Sequence, residues 1–141
     1  RITNKNNNSA NRKFAGVCRD FSLLAASSFR SHGIPARLRV GFADYFNEGF
    51  YDDHWLCEVY DGQRWNLLDL EVLAEPSIAI ALFDAAAVQS DRFLNASKSW
   101  HLVQYGKLSG SNFGVHRLNI TGDWIVAANV FRDAAALCSW N

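Results

Sequence analysis

The sequence predicts an α+β fold, with a helix near the start of the chain packed on an antiparallel sheet. Residues 22–32 have apolar side chains at helical spacing, and a Gly-Ile-Pro stop signal follows them. Residues 54–60 and 64–69 form two strand-like segments. The Asp-Gly pair between these segments is a strong signal for a tight hairpin turn, which makes the two strands antiparallel.

The first residues of the chain are polar and precede the part expected to fold. Residues 1–13 contain five asparagines and show no apolar periodicity, so we expect a flexible arm there. We expect residues 14–141 to form a single domain. A chain of 141 residues suffices for one sizeable core, and 10 Phe, 5 Trp and 4 Tyr are available to fill it.

The predicted first helix places Cys18 at its start, where a loop gives way to the helical pattern. Gly33 and Pro35 fit the Gly and the following Pro that commonly end a helix. Cys18 therefore falls in the first turn, where unpaired backbone N–H groups and the helix dipole favour a thiolate. The same N–H groups can stabilise an oxyanion. A buried structural cysteine is the alternative interpretation.

The hairpin register predicts that His54 and Asp69 are partners. If the Asp-Gly pair is a two-residue turn, His54 lies directly opposite Asp69. Opposed residues hold their Cβ atoms about 4.5–5.5 Å apart, which suits an imidazole–carboxylate hydrogen bond. A three-residue loop with a bulge would place Leu70 opposite His54 instead. Strand alternation puts Cys57 on the other face from His54, which makes Cys57 a poor nucleophile.

Cys18, His54 and Asp69 together predict a catalytic triad. Thiol-based acyl transfer needs a nucleophile, a base that takes its proton and a carboxylate that orients the base. The chain supplies these three groups in that order, with the cysteine at a helix start and the other two on paired strands. We therefore predict that these three residues are catalytic.

Residues 43–52 are predicted to be an aromatic, acidic loop between a strand over 36–42 and the strand that begins at His54. Because this loop must end beside His54, its rings are candidates for the wall of a substrate groove. Ordinary surface packing is the alternative. The predicted substrate-binding residues are Tyr45, Phe50, Tyr51 and Trp55.

The second half of the chain is predicted to be mainly helical. Residues 84–107 have a helical pattern, whereas residues 123–138 begin strand-like and end as a helix. Arg132 and Asp133 are interpreted as a solvated or capping pair, with a buried arginine that supports the site as the alternative. The histidines other than His54 lack suitably placed partners, and we assign them surface or structural roles.

Composition argues against several classes of partner. The 14 basic and 14 acidic residues give a formal net charge of zero, which disfavours nucleic acid or an anionic membrane as the main partner. Apolar runs such as residues 78–83 are too short to span a bilayer. The cysteines are odd in number, at three, and have no metal-ligand spacing. We therefore expect a cytoplasmic protein with no metal and no other cofactor.

Four blocks of the sequence resemble the core of the transglutaminase-like superfamily, in the same order. They are the segments at residues 16–21, 33–42, 53–60 and 64–69. In that superfamily a cysteine opens a helix, Gly-Ile-Pro-Ala-Arg leads into a strand, and histidine and aspartate come from the next two strands. The resemblance covers residues 14–71, and motifs of the second half are similar to the bacterial subgroup of these proteins.

This resemblance implies a papain-like core in which Cys18, His54 and Asp69 form a Cys-His-Asp triad. It implies an enzyme that acts on a peptide or small amide, by hydrolysis (deamidation or proteolysis) or by transamidation. A non-catalytic peptide-binding module on the same scaffold is the alternative, and an amidase resembling peptide N-glycanases is a third interpretation.

The chain also departs from the family pattern. It has no acidic calcium loop like that of animal transglutaminases and no paired Cys-x-x-Cys zinc elements like those of peptide N-glycanases. Leu70 and Glu71 follow Asp69, where many members have Pro-Thr.

Overall fold

A computed structural model describes residues 16–80 and 83–138, in which helices and a six-stranded sheet are combined. The prediction of mixed helical and sheet structure is confirmed, whereas the arm predicted over residues 1–13 lies outside the described residues. The α-helices are α1 (Cys18–Ser31), α2 (Leu70–Ala74), α3 (Ala96–Gln104) and α4 (Asp123–Cys138). The strands are β1 (Ala36–Asn47), β2 (Phe50–Tyr60), β3 (Trp65–Leu68), β4 (Phe93–Asn95), β5 (Phe113–Val115) and β6 (Ile120–Thr121).

The sheet has the order β4-β1-β2-β5-β6, and β3 also pairs with β2. β1 and β2 form its long antiparallel centre, and β1 occupies one edge of β2. β3 and β5 share the other edge of β2, where β3 pairs with residues 57–60 and β5 pairs with residues 51–52. Between them, residues 53–56 of β2 have no strand partner on that edge within the described part of the chain.

The loop predicted over residues 43–52 is wrong, because β1 and β2 continue through it as a hairpin. The turn falls at Glu48 and Gly49, and Gly49 has a φ of +71°. Glycine adopts this left-handed backbone without the steric cost that a Cβ brings. Ala43 and Tyr45 of β1 are completely buried, and their spacing of two follows strand alternation.

The two-residue turn predicted between β2 and β3 is also wrong. Residues 61–64 form a four-residue connection, in which the Asp61 carboxylate accepts the backbone N–H groups of Gln63 and Arg64, both at 2.9 Å. Cys57 therefore pairs with Leu68, two positions away from the predicted register. A shift of two preserves the face on which each side chain lies, whereas a shift of one would reverse it.

The first helix is confirmed, and both of its ends follow from the sequence. The backbone N–H of Val17 donates to the Asp20 carboxylate at 3.0 Å, which satisfies a group before the first turn. After the last turn, Gly33 has a φ of +75°, and the N–H of Ile34 donates to the carbonyl of Phe29 at 3.0 Å. This is the Gly-based helix stop expected of the Gly-Ile-Pro sequence.

Two helices cover one face of the sheet. α1 packs Ala25 and Ala26 against Cys57 and neighbouring strand residues. α4 packs Ile125 and Val126 in a second cluster of buried side chains, with Phe42 and Phe113 of the sheet. No helix among the described residues has the length and apolar character needed to cross a bilayer.

Two predictions about the second half need correction. The helix predicted over residues 84–107 is confined to α3, and β4 precedes it because residues 93–95 pair with β1. The strand-like start predicted for residues 123–138 is wrong, since α4 is helical throughout. Burial of Ile125 and Val126 against the sheet outweighs the modest preference of β-branched residues for strands.

Arg132 and Asp133 lie in two different environments. The Arg132 side chain is half exposed, as expected of a solvated residue. Asp133 is buried, and its carboxylate accepts two hydrogen bonds from the Arg39 guanidinium, at 3.0 and 2.9 Å. It also accepts the backbone N–H of Val40 at 2.8 Å. Asp133 therefore fastens α4 to β1, so the prediction of a solvated pair is wrong for this residue.

We expect Gly41→Ala to destabilise the fold by about 3 kcal/mol, the upper end for overpacking. A Cβ at position 41 would collide with the carbonyl oxygen of Leu94 and lie 2.8 Å from the Asn95 Cα, both in the adjoining strand β4. Urea denaturation gives the change in the free energy of unfolding. Gly49→Ala is the comparison, since its Cβ would meet open space and only its positive φ costs energy, about 1 kcal/mol. A cost for Gly41→Ala no larger than that of Gly49→Ala would contradict the prediction.

Candidate active site

The candidate site lies at the gap in the β2 edge, between β3 and β5. The Ser22 hydroxyl of α1 donates to the backbone carbonyl of Trp55 at 2.8 Å, inside this gap. A helix side chain therefore takes the role that a neighbouring strand has elsewhere along β2. This contact brings the start of α1, which carries Cys18, to the strand that carries His54.

His54 is buried, with 3% of its side chain exposed, and a carboxylate holds its ring. The ring atom Nε2 lies 2.7 Å from Oδ2 of Asp69. Because an ionised carboxylate only accepts hydrogen bonds, Nε2 carries the proton of this contact, and Nδ1 faces the other way. Phe46 contacts the imidazole edge-on, with ring centroids 4.8 Å apart. The ring orientation is thus fixed by one hydrogen bond and by aromatic packing.

Asp69 follows the last residue of β3 and is the N-cap of α2. Its Oδ1 accepts the backbone N–H of Val72 at 3.0 Å, and its Oδ2 accepts the Tyr45 hydroxyl at 2.6 Å in addition to His54. Burial alone would raise the pKa of Asp69, but the hydrogen bonds from His54, Tyr45 and Val72 hold it below its ordinary value. Asp69 is therefore a buried carboxylate that stays ionised.

The pKa of His54 is raised because its partners favour the charged ring. Burial disfavours the imidazolium, but hydrogen bonds with Asp69 and Cys18, and the charge of both partners, outweigh that cost. The pKa of Tyr45 is raised as well, by burial and then by the neighbouring Asp69 charge, so its hydroxyl remains a donor. The imidazole is consequently poised to keep its proton near neutral pH.

The structure brings Glu71 into the site, which the sequence did not predict. One possible ligand atom from each of Cys18, His54 and Glu71 lies within 4.8 Å of the other two. The Nδ1 atom of His54 is 3.9 Å from Oε2 of Glu71. Burial raises the pKa of Glu71, and the nearby charge of Asp69 raises it further. The signal in the sequence was the Leu-Glu pair at the position where many family members have Pro-Thr.

Tyr45 differs from its predicted role in a groove wall. Its side chain is completely buried, its ring packs on Phe46 and Phe83, and its hydroxyl is bonded to Asp69. The ring is therefore not available to a substrate in this structure, since it sits in the core behind the carboxylate. Tyr45 acts on the site from within, as a hydrogen-bond donor.

The other three predicted substrate-binding residues are partly exposed. Tyr51 stacks on Phe113 with ring centroids 4.9 Å apart, and Phe50 contacts His116 edge-on at 5.1 Å. The Trp55 ring lies 5.6 Å from the guanidinium carbon of Arg19. Their contact with a substrate stays a prediction.

The three cysteines have different environments. Cys57 is fully buried against α1, and burial raises its pKa to about 12. Cys138 is exposed at the end of α4, and Cys18 is intermediate. Cys57 is thus unsuited to act as a nucleophile, in keeping with its predicted place on the face opposite His54.

A cavity of about 530 Å³ lies elsewhere on the molecule, and none of the predicted site residues lines it. Its walls include residues of β3 and the segment that precedes β4. This cavity is therefore separate from the candidate site.

Comparison with known proteins gives one match. The chain matches none of the curated proteins and none of the solved structures with which it was compared. A family model described as the transglutaminase-like superfamily, for its core, matches residues 3–70. This segment carries Cys18, His54 and Asp69, together with α1 and the first three strands. This match agrees with the four sequence blocks, which resemble the same superfamily.

Proposed function

We propose that the chain is a cysteine-dependent enzyme that cleaves or transfers the acyl group of a peptide or small amide. The observation that carries this proposal is the position of His54. Its Nε2 is held by a buried, ionised Asp69 at 2.7 Å, and its other side faces Cys18. A papain-like arrangement, with the cysteine on a helix start and the base on the adjoining sheet, is part of the proposal.

The first half-reaction forms a thioester. The Cys18 thiolate attacks the carbonyl carbon of the substrate, and the carbonyl electron pair moves to the oxygen. Backbone N–H groups of the first turn of α1 stabilise this oxyanion. When the C–N bond breaks, the proton on Nδ1 of His54 passes to the leaving amine, which departs neutral. Asp69 keeps the Nε2 proton in place throughout.

The second half-reaction releases the acyl group. Water or an amine attacks the thioester carbon, and its proton returns to Nδ1 of His54. The C–S bond breaks, and the thiolate–imidazolium pair is restored. We propose water as the usual acceptor, which makes the net reaction a hydrolysis such as deamidation or proteolysis. Tyr45 supports both halves, because its hydroxyl fixes the Asp69 oxygen that orients the imidazole.

Selective alkylation tests the nucleophile. We expect iodoacetamide at neutral pH to modify Cys18 before Cys138, although Cys138 is the more exposed of the two. The reason is that alkylation follows the thiolate fraction, and His54 stabilises the thiolate of Cys18 alone. Cys57 should react last, because it is buried. Mass spectrometry of peptides from briefly treated native protein measures the three rates.

His54→Ala provides the matched control for this experiment. It should slow alkylation of Cys18 and leave that of Cys138 unchanged, with the fold checked by circular dichroism. Preferred labelling of Cys138, or an unchanged Cys18 rate in the variant, would contradict the nucleophile assignment. Screening an amide library with wild type and Cys18→Ala then separates an enzyme from a peptide-binding module, since a module would bind without release of product.

A further inference from the structure

Cys18, His54 and Glu71 lie close together, although only Cys18 and His54 belong to the proposed triad. The three side chains present a thiol sulfur, a ring nitrogen and a carboxylate oxygen, all within 4.8 Å of one another. Glu71 has no part in the acyl-transfer steps above. We infer that these three residues form a binding site for a thiophilic divalent metal ion, for which Zn²⁺ is the best match.

The distances between the three possible ligand atoms are close to those around a tetrahedrally coordinated ion. Zn²⁺ binds sulfur at about 2.3 Å and nitrogen or oxygen at about 2.0–2.2 Å, so its ligand atoms lie about 3.3–3.8 Å from one another. The Nδ1 atom of His54 and Oε2 of Glu71 are already 3.9 Å apart. The Glu71 side chain is 28% exposed, so its carboxylate can move toward the sulfur while His54 stays in place.

The surroundings of His54 suit a metal ligand. A histidine that binds zinc commonly donates its other ring N–H to a carboxylate, which fixes the tautomer and raises the basicity of the ligand. Asp69 accepts that N–H at 2.7 Å and is itself held by the Tyr45 hydroxyl at 2.6 Å. Nδ1 is thus the ring atom left to face an ion.

Charge and ligand type narrow the identity of the ion. When the thiol loses its proton, Asp69, Glu71 and Cys18 place three negative charges around His54, and the His54 imidazolium and Arg117 are the cations that act on Glu71. A dication reduces this excess. The sulfur and imidazole ligands select zinc over calcium or magnesium, which prefer sites made of oxygen atoms. Binding releases any proton carried by the thiol or by Nδ1 to solvent.

The consequence for activity rests on the proposed function, whereas the metal site itself does not. A zinc-bound sulfur and a zinc-bound Nδ1 cannot serve as nucleophile and base. Zinc would therefore switch the enzyme off reversibly and shield the thiol from alkylation.

Zinc affinity of the full chain tests the site directly, measured by competition with a chromogenic chelator and without any substrate. We expect Glu71→Gln and Asp69→Asn each to weaken the affinity by at least about tenfold. Glu71→Gln removes a metal ligand, and Asp69→Asn removes the carboxylate that orients the His54 ligand. Cys18→Ala should abolish the tight binding. Glu48→Gln, at the exposed hairpin turn, and Cys138→Ala are the controls and should bind zinc as the wild type does.

A second measurement keeps the inference testable if a variant folds poorly. Zinc should slow iodoacetamide modification of Cys18 in wild type, and the same zinc concentration should protect Cys18 much less in Glu71→Gln. Unchanged zinc affinity in Glu71→Gln, or loss of affinity in Cys138→Ala instead of Cys18→Ala, would overturn the metal site. Both measurements test zinc binding without a substrate. Failure of the metal site would therefore not contradict the proposed acyl-transfer activity, which is measured in the absence of zinc.

Discussion

Replacing Asp69 with Asn is expected to lower turnover of an amide substrate by about 10²–10⁴-fold, the range for loss of an oriented general base. Asn can still accept the Val72 N–H, but its amide nitrogen cannot accept from both His54 and Tyr45, as Oδ2 of Asp69 does. The imidazole would then favour the tautomer with its proton on Nδ1, the atom that must take protons during the reaction. Alkylation of Cys18 should also slow, because the imidazolium beside the thiol is lost.

Asp61→Asn is the matched control for this prediction. Asp61 is exposed, and its Oδ1 accepts two backbone N–H groups that an Asn oxygen can also accept. Those bonds, together with one from Asn66, lower its pKa to about 2, so the variant removes a charge outside the site. If Asp61→Asn slowed Cys18 alkylation as much as Asp69→Asn does, the slower rate would come from a change in the hairpin and not from loss of the Asp69–His54 contact.

The pH dependence of stability gives a second readout of the same pair. The raised pKa of His54 adds stability that is fully present below about pH 6.5, its unfolded value, and is lost as pH rises through the folded value. The lowered pKa of Asp69 adds stability that is present above about pH 3.9 and is lost as pH falls through its folded value. The pair therefore stabilises most between about pH 4 and 6.5, and Asp69→Asn should remove that maximum.

Asp133→Ala is expected to cost about 3–5 kcal/mol of stability, the range for removing one partner of a buried ion pair. The variant leaves the Arg39 guanidinium, 14% exposed, with Glu58 at 3.4 Å as its nearest remaining carboxylate. It also leaves the N–H of Val40 without the acceptor that it has at 2.8 Å. Urea denaturation measures the change in the free energy of unfolding. An unchanged slope m shows that the variant exposes as much surface on unfolding as the wild type does.

Arg132→Ala is the comparison for this variant, because Arg132 is the neighbouring residue on α4. Its side chain is 50% exposed and lies 3.5 Å from Asp53, so its loss should cost less than about 1 kcal/mol. A loss of similar size in the two variants would mean that α4 is held by its apolar face alone. The Arg39–Asp133 contact would then contribute little.

The sequence predicted the local parts of the fold because local chemistry determines them. The first helix and its Gly-based stop were correct, since the start, the apolar spacing and the stop all lie within residues 18–35. The partnership of His54 and Asp69 appears in the structure although the predicted register was wrong by two residues. A shift of two keeps both side chains on one face, and the long imidazole reaches a carboxylate diagonally across the pair.

The contacts that the sequence did not reveal join distant parts of the chain. Asp133 and Arg39 are 94 residues apart, and Asn129 donates to Asp53 across 76 residues. Neither pair leaves a periodic pattern that can be read locally. The length of β1 and β2 was underestimated because Asp, Asn, Glu and Gly in residues 43–52 resemble a loop, whereas burial of Ala43 and Tyr45 maintains the strand.

The break in the sheet beside β2 also affects how the chain avoids self-association. An open strand edge is a template on which a strand of another chain can pair, and such edges promote aggregation. Along residues 53–56 the start of α1 closes this edge, and the buried Ser22 hydroxyl occupies the carbonyl of Trp55. The gap beside β2 is therefore covered by the same helix that carries Cys18, and it does not leave an open edge for pairing with another chain.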